Sequence, residues 1–428
     1  VITIMYEVGA AWFVAIMLGT PLFASMGIAA MAFVYFGGLS VGIVPQKMAQ
    51  AMNSFPMVAA PLFILMGNLL AAAKITDRIV HFATALVGPV RGGYAHASVV
   101  SSMIFAGMVG SAVADAAGTG GVEIRAMRKA GYRAETAASI TAAAATIGPI
   151  IPPSLPMVIY GVTADVSIGK LFMAGFVPGV LMGLSLMCMI VYMARKQNFP
   201  RQKWVGFIGL WKAFRDSFWA LCAPALLLGG MFSGHFTPTE AAAVACLYAL
   251  FLGFVVYRTL KLSDIPGILV ESAEMTGIVV ALVMTAAALG WCMSISRLPQ
   301  TVAPLLVETI GSQVMFLIVC NLILFAVGCF MEVLAAILIL IPILVPAAVS
   351  FGIDPVQFGI IMIFNLILGT IHPPIGVVLF VTARIAEISF EKMSMAILPW
   401  LIPLVTVLIA ITFWPPFTMW LPHVMIGH

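Results

Sequence analysis

The chain has 428 residues, 63% of them hydrophobic and 8% charged, with a mean hydropathy of +1.15. Soluble domains are about 45–50% apolar and about 25% charged, so this composition excludes an ordinary soluble enzyme, a nucleic-acid-binding module and a disordered chain. The net charge of +4 is too small for the length to argue for a polyanionic partner.

A membrane-spanning helix needs about 20 apolar residues. Uncharged stretches run over 8–46, 48–73, 92–114, 136–164, 171–194, 217–239, 241–257, 275–296, 309–331, 333–353, 355–383 and 393–428. The first is long enough for two spans, and the polar segments between stretches are short. The chain therefore reads as an all-α polytopic protein of the lipid bilayer with no soluble domain. No removable signal segment is expected at its start. The six cysteines lie mostly inside apolar stretches and form no C-x-x-C or zinc spacing, so they read as small buried residues.

Lys and Arg cluster at 125–133, at 195–215 and at 258–261. Two spans separate each cluster from the next, which puts all three on one side, the cytoplasmic one. The basic turn at Lys74, Arg78 and Arg91 joins them only if the chain enters and leaves by the same face around 92–122. With that hairpin, and a matching one around 309–348 on the other face, seventeen of the twenty Lys and Arg are cytoplasmic, leaving Lys47, Lys170 and Arg297 outside. This reading puts both termini in the periplasm. The segment 195–216, with Trp204, Trp211 and Trp219 nearby, reads as an amphipathic connector on the cytoplasmic interface, and 258–274 as a shorter one.

The two halves repeat. The 23-residue stretch 92–114 ends at Asp115, and 309–331, of equal length, ends at Glu332. The 29-residue stretch 136–164 holds Gly148-Pro-Ile-Ile-Pro-Pro-Ser154, and the 29-residue stretch 355–383 holds Gly369-Thr-Ile-His-Pro-Pro-Ile-Gly376. Gly131 and Gly352, Gly148 and Gly369, and the two Pro-Pro pairs all stand 221 residues apart. Halves that enter from opposite faces make an inverted-topology repeat, the usual plan of secondary transporters.

Adjacent prolines interrupt a spanning helix and free carbonyl oxygens at depth, where an unsatisfied group costs several kcal/mol. A sodium ion satisfies such oxygens, and half-helix N-termini suit a substrate carboxylate. The competing reading is a packed kink without a ligand. The small-residue tip Gly107–Gly121 permits a tight turn and close packing. Within it Ser111 offers a hydroxyl ligand. Asp115 is one of few ionisable groups at depth, either functional or a helix cap. Glu332 reads as its counterpart at the second tip, with the same two roles open. His372 is a substrate contact, a titrating group or a satisfied buried histidine.

Five strings make the sequence resemble a known family: Ala60-Pro-Leu-Phe-Ile-Leu-Met-Gly67, Gly110-Ser-Ala-Val-Ala-Asp-Ala-Ala117, Ile147-Gly-Pro-Ile-Ile-Pro-Pro-Ser154, Phe236-Thr-Pro-Thr-Glu-Ala-Ala242 and Pro373-Pro-Ile-Gly376. Over nearly its whole length the chain resembles the large membrane subunit of a tripartite ATP-independent periplasmic (TRAP) transporter. The resemblance implies an elevator, in which a transport domain holding the hairpins slides against a scaffold. It implies scaffold helices at 1–56, a first repeat at 57–170, scaffold helices and connectors at 171–273, a second repeat at 274–392 and a C-terminal scaffold helix at 393–428. It implies two partners, a small four-helix membrane subunit and a soluble periplasmic binding protein. The coupling ion would be Na+, two or more per cycle, and the substrate an organic acid taken up across the bacterial inner membrane. One sodium site would use Ser111, Gly148, Ile151 and Pro153, and a second Gly328, Gly369 and Thr370 with Glu332 beside it. Ser111, Asp115 and Ser154 would border the substrate. Two departures stand out: Ala112 follows Ser111 where a second hydroxyl is common, and His372 precedes Pro-Pro where Thr is common.

A self-sufficient sodium–dicarboxylate symporter is the nearest alternative. An enzyme is disfavoured, because H-E-x-x-H, D-D-x-x-D, a protease serine pattern and a phosphate loop with Lys are all missing. The missing Walker sequence disfavours an ATP-driven pump, and a channel fits paired broken helices less well than a two-gate carrier does.

Overall fold

A computed structural model describes residues 2–53, 55–202 and 204–426; Lys203 of the basic connector and His428 lie outside them. Every regular element among the described residues is helical. Among the described residues, seven helices are long and apolar enough to cross a membrane: 55–72, 168–196, 238–256, 262–295, 313–330, 333–350 and 390–413. Shorter apolar helices include Leu22–Phe36, Pro355–Gly369 and Val377–Ala386.

Local sequence sets the ends of these helices. The 8–46 stretch divides at Gly19-Thr20-Pro21 into helices Ile2–Met17 and Leu22–Phe36, followed by Ile43–Met52. The Phe236-Thr-Pro-Thr-Glu string is a capping box. Thr237 Oγ1 accepts from the Glu240 amide at 3.3 Å, and Glu240 Oε2 accepts from the Thr237 amide at 2.9 Å. The 393–428 stretch forms two helices rather than one. Helix 390–413 stops before Pro415-Pro416, since proline cannot continue the ladder, and Pro416–Ile426 packs separately against helix 168–196.

The repeat is visible in the backbone. Asp354 caps helix 355–369, and Arg133, 221 residues earlier, is the N-cap residue of helix 134–145. Gly131 and Gly352 both hold left-handed conformations, with φ of +98° and +76°. Both Pro152-Pro153 and Pro373-Pro374 are cis. The two halves interlock. Helices 377–386 and 390–413 of the second pack on 134–145 of the first, and helices 155–163 and 168–196 of the first pack on 355–369 of the second. The Trp400 indole donates to Ser139 Oγ at 3.1 Å, and the Tyr160 hydroxyl donates to the Pro355 carbonyl at 2.7 Å. Residues 137–145 and 356–369 are buried without exception, as expected of helices apolar all round. The two interrupted helices therefore form the centre of the molecule.

Candidate functional site

The 92–122 region folds back on itself. Helix Gly93–Val109 ends at Gly110, whose φ of +62° turns the chain, and helices Ala112–Gly118 and Gly120–Lys129 return along it. Ser98 and Ser101 of the outgoing helix each donate a hydroxyl to Glu123 of the return at 2.5 Å. At the other repeat, helix Gln313–Phe330 breaks at Met331-Glu332 and helix Val333–Ser350 follows. The N-cap groups of the two returning helices stand 221 residues apart. Ser111 Oγ accepts from the Ala114 amide, and Glu332 Oε2 accepts from the amides of Leu334 and Ala335 at 2.8 and 3.1 Å. The counterpart of Glu332 is thus Ser111. The expected pairing with Asp115 fails because equal stretch lengths locate charges, whereas the repeat aligns caps.

Each tip is pressed on its own Pro-Pro break. A side chain at Gly110 would lie 2.9 Å from the Pro153 carbonyl oxygen, and one at Gly148 would lie 3.8 Å from the Ser111 carbonyl oxygen. Gly328 and Gly369 touch backbone to backbone, and a Cβ on Gly369 would fall 2.3 Å from the Gly328 carbonyl carbon. Only glycine fits there.

Between the tips lies one cavity of about 450 Å³. Its wall includes Gly110–Val113 and Glu332–Ala335 from the two tips, Pro149, Leu155 and Pro156 from the first break, and Ile367, Thr370 and Val377 from the second. Helix 265–295 closes it with Met275, Ile278, Val279 and Leu282. Ala112, Leu155, Val333 and Val377 are each the first residue of a helix. Four helix starts meet at one apolar cavity; the Val333 start is already answered by the Glu332 carboxylate, and the partial positive charge of the other three favours an anion.

The first predicted sodium set fits a hard cation that takes oxygen ligands. Gly148, Ile151 and Pro153 are buried outside any helix, and among the described residues their carbonyls accept no hydrogen bond. The Ser111 carbonyl faces the same break while also accepting from the Asp115 amide at 2.9 Å. The second set is less open. The Gly369 carbonyl accepts from the His372 amide, the Thr370 carbonyl accepts from the Val378 amide, and Thr370 Oγ1 donates to the Ile367 carbonyl. Glu332 is exposed toward the cavity and works as a cap.

Of the predicted substrate residues, only Ser111 lines the cavity. Ser154 is fully buried beside it, donating to the Pro149 carbonyl at 2.6 Å and capping helix 155–163. Asp115 is buried behind the tip, where Thr119 Oγ1 donates to Oδ1 at 3.1 Å and Oδ2 has no hydrogen-bond partner among the described residues. His372 does not line the cavity. It stands edge-on to Phe325, with centroids 4.4 Å apart, and Nδ1 is 3.2 Å from Cys329 Sγ. Glu123 escaped the sequence reading because it sits in a charged run with Arg125, Arg128 and Lys129. The four-residue spacing of Asp115, Thr119 and Glu123 was the available signal, since it puts all three on one helix face.

Residues 10–417 match the family described as "Tripartite ATP-independent periplasmic transporter, DctM component". The chain belongs to this family. It is 40% identical over 418 residues to the sialic acid TRAP transporter large permease protein SiaM of Vibrio cholerae, covering 97% of this chain and 98% of that one. It is 38% identical to the C4-dicarboxylate TRAP transporter large permease protein DctM of Pseudomonas aeruginosa, covering 93% and 94%. It is 38% identical to the sialic acid TRAP transporter permease protein SiaT of Haemophilus influenzae, of which it spans 68%. The fold is similar to that of the Alcanivorax borkumensis YdaH transporter, with a TM-score of 0.63 at 14% identity over 87% of each chain. This DctM-family chain is therefore a multi-pass TRAP transporter subunit and not an enzyme.

Proposed function

We propose that the chain carries out sodium-coupled import of a small organic acid anion across the bacterial inner membrane, in an elevator cycle. The observation that carries this reading is the single cavity walled by both tips and both breaks, with four helix starts around it. Three of these starts attract the anion, and the open carbonyls of Gly148, Ile151 and Pro153 with Ser111 supply the first ion site. A sodium ion there would pin the first tip to its break and so couple ion occupancy to the shape of the cavity. Thr370, Gly369 and Gly328 would build a second site only after the second break relaxes. The folded-back segments are read as re-entrant hairpins of an inverted repeat, with both termini periplasmic.

The partners follow from the relatives' names. Several are called large permease proteins, which implies a smaller membrane counterpart. SiaT, called simply a permease protein, extends beyond the region this chain spans. The binding protein would deliver the acid, and the relatives' substrates set the panel to try: sialic acid, C4-dicarboxylates, 2,3-diketo-L-gulonate and isethionate.

The test is uptake into proteoliposomes holding this chain and the small subunit, with and without the cognate binding protein. Accumulation that needs the binding protein supports the tripartite importer and names its acid. Accumulation by the membrane proteins alone would replace it with a self-sufficient symporter. Failure with every acid, given a binding protein shown to hold its ligand, would refute the transport reading.

A further inference from the structure

A second cavity, also of about 450 Å³, shares no lining residue with the first and lies where the end of helix 168–196 meets the 88–92 turn and the 199–202 segment. It is lined by Pro89, Val90, Arg91, Val191, Arg195 and Arg201. Three arginines from three chain segments thus face one space. Among the described residues no carboxylate pairs with any of them, and all acidic residues of the chain are described. Three unpaired like charges in one concavity repel each other unless an anion joins them.

The arginine side chains are exposed, and the backbone that carries them is held in place. The Gly92 amide donates to the Pro200 carbonyl at 3.3 Å, and the Gln202 amide donates to the Gly88 carbonyl at 3.2 Å. These two bonds bracket Arg91 and Arg201. Gly92 holds φ +78°, and a Cβ there would press on Ile190, Phe199 and Ala194, so the turn lies flat on the helix that carries Arg195. Phe199 packs against Tyr132 with ring centroids 4.7 Å apart. The junction is therefore preorganised.

Beside the arginines runs an exposed apolar track. Leu184, Cys188, Val191 and Tyr192 are exposed, and with Arg195 they follow helical spacing along one face. Leu86 and Val90 are exposed on the facing segment. An apolar stripe that ends in a guanidinium cluster matches an amphiphile with an acyl chain and a phosphate head. Free phosphate shares the head-group chemistry but would leave the stripe unused.

We propose that Arg91, Arg195 and Arg201 form a binding site for the phosphate of an anionic phospholipid, seated where the basic connector meets the bilayer. The site is distinct from the transport cavity and does not depend on which acid is carried.

The test is native mass spectrometry of the delipidated full chain titrated with phosphatidylglycerol or cardiolipin. The R91Q/R195Q/R201Q variant is compared with the wild type and with a K212Q/R215Q control from the same basic connector. Helical circular dichroism and a monodisperse elution profile establish that each variant is folded, and an R91K/R195K/R201K variant keeps the charge. The expected result is one tightly held lipid per chain, weakened about fivefold per arginine and about a hundredfold in the triple glutamine variant. The control should match the wild type, and the lysine variant should fall between. Excess inorganic phosphate should not displace the lipid. Equal affinity in the triple variant, or equal loss in the control, would overturn the site. Displacement by inorganic phosphate would assign it to a free anion and overturn the lipid assignment.

Discussion

Glu123 accepts hydrogen bonds from Ser98 and Ser101 inside the first folded-back segment, with no cation paired to it among the described residues. These bonds tie the outgoing and returning arms together. Replacing Glu123 with Ala strips the buried Ser98 hydroxyl of its acceptor, a loss of about 1–3 kcal/mol, while the Ser101 hydroxyl can still donate to the Ser98 carbonyl at 2.9 Å. Glu123→Ala should therefore lower the thermal unfolding midpoint in detergent well below that of Glu123→Gln, which keeps an acceptor. Equal midpoints would show that the arms are held by packing alone. Gly369 makes a second prediction at this scale. A methyl there would collide with the Gly328 backbone, and overpacking costs about 1–3 kcal/mol. Gly369→Ala should reduce both stability and uptake, measured by unfolding and by proteoliposome assay. His372 makes a third. Its ring packs on Phe325 and Cys329 outside the cavity. His372→Ala should leave KM for the substrate unchanged and lower only the stable fraction of protein, whereas a raised KM would return the ring to the substrate.

At the scale of elements, the breaks were legible in advance because proline and charge leave visible marks. A Pro-Pro inside an uncharged stretch interrupts a helix wherever it occurs, and the structure shows helices 134–145 and 155–163, and 355–369 and 377–386, on either side of the two pairs. The turn at Gly110-Ser111 was legible as a glycine-rich tip. Caps were legible only in part: a cap was one of the two readings of Glu332 and is what it forms, but which amide a side chain reaches is not given by spacing. This is why Ser111, rather than Asp115, matches Glu332. The cavity wall was also only partly legible. Ser154 is a hydroxyl at the right depth, yet its oxygen is spent on the Pro149 carbonyl and the Met157 amide. Met275, Ile278 and Val279 came to the cavity through packing of a long helix that carries no motif. Ser154→Ala removes one cap, worth about 1 kcal/mol. It should destabilise the protein modestly while the sodium dependence of uptake persists.

At the scale of the whole molecule, the interlocked repeats make one compact centre, and helix 265–295 leans on it from outside through the cavity wall. If the tips and breaks move as a body, they slide past that helix during transport. Joining Ile278 of the helix to Leu334 of the second tip should then stop the cycle. In a background freed of its six cysteines, Ile278→Cys with Leu334→Cys, joined across the cavity by a cleavable bifunctional thiol reagent, should lose uptake and regain it when the linker is cleaved, while either single variant stays active. Full uptake in the cross-linked state would contradict a sliding mechanism.

The central claim is that sodium at the first break drives an anion through the shared cavity. Its most direct measurement imposes one cation gradient at a time on proteoliposomes that hold the complete transporter, with membrane voltage clamped near zero, and follows labelled acid. The account predicts concentrative uptake under an inward sodium gradient, and none under potassium or proton gradients of equal size. Concentrative uptake without sodium, or sodium-independent equilibration alone, would contradict it.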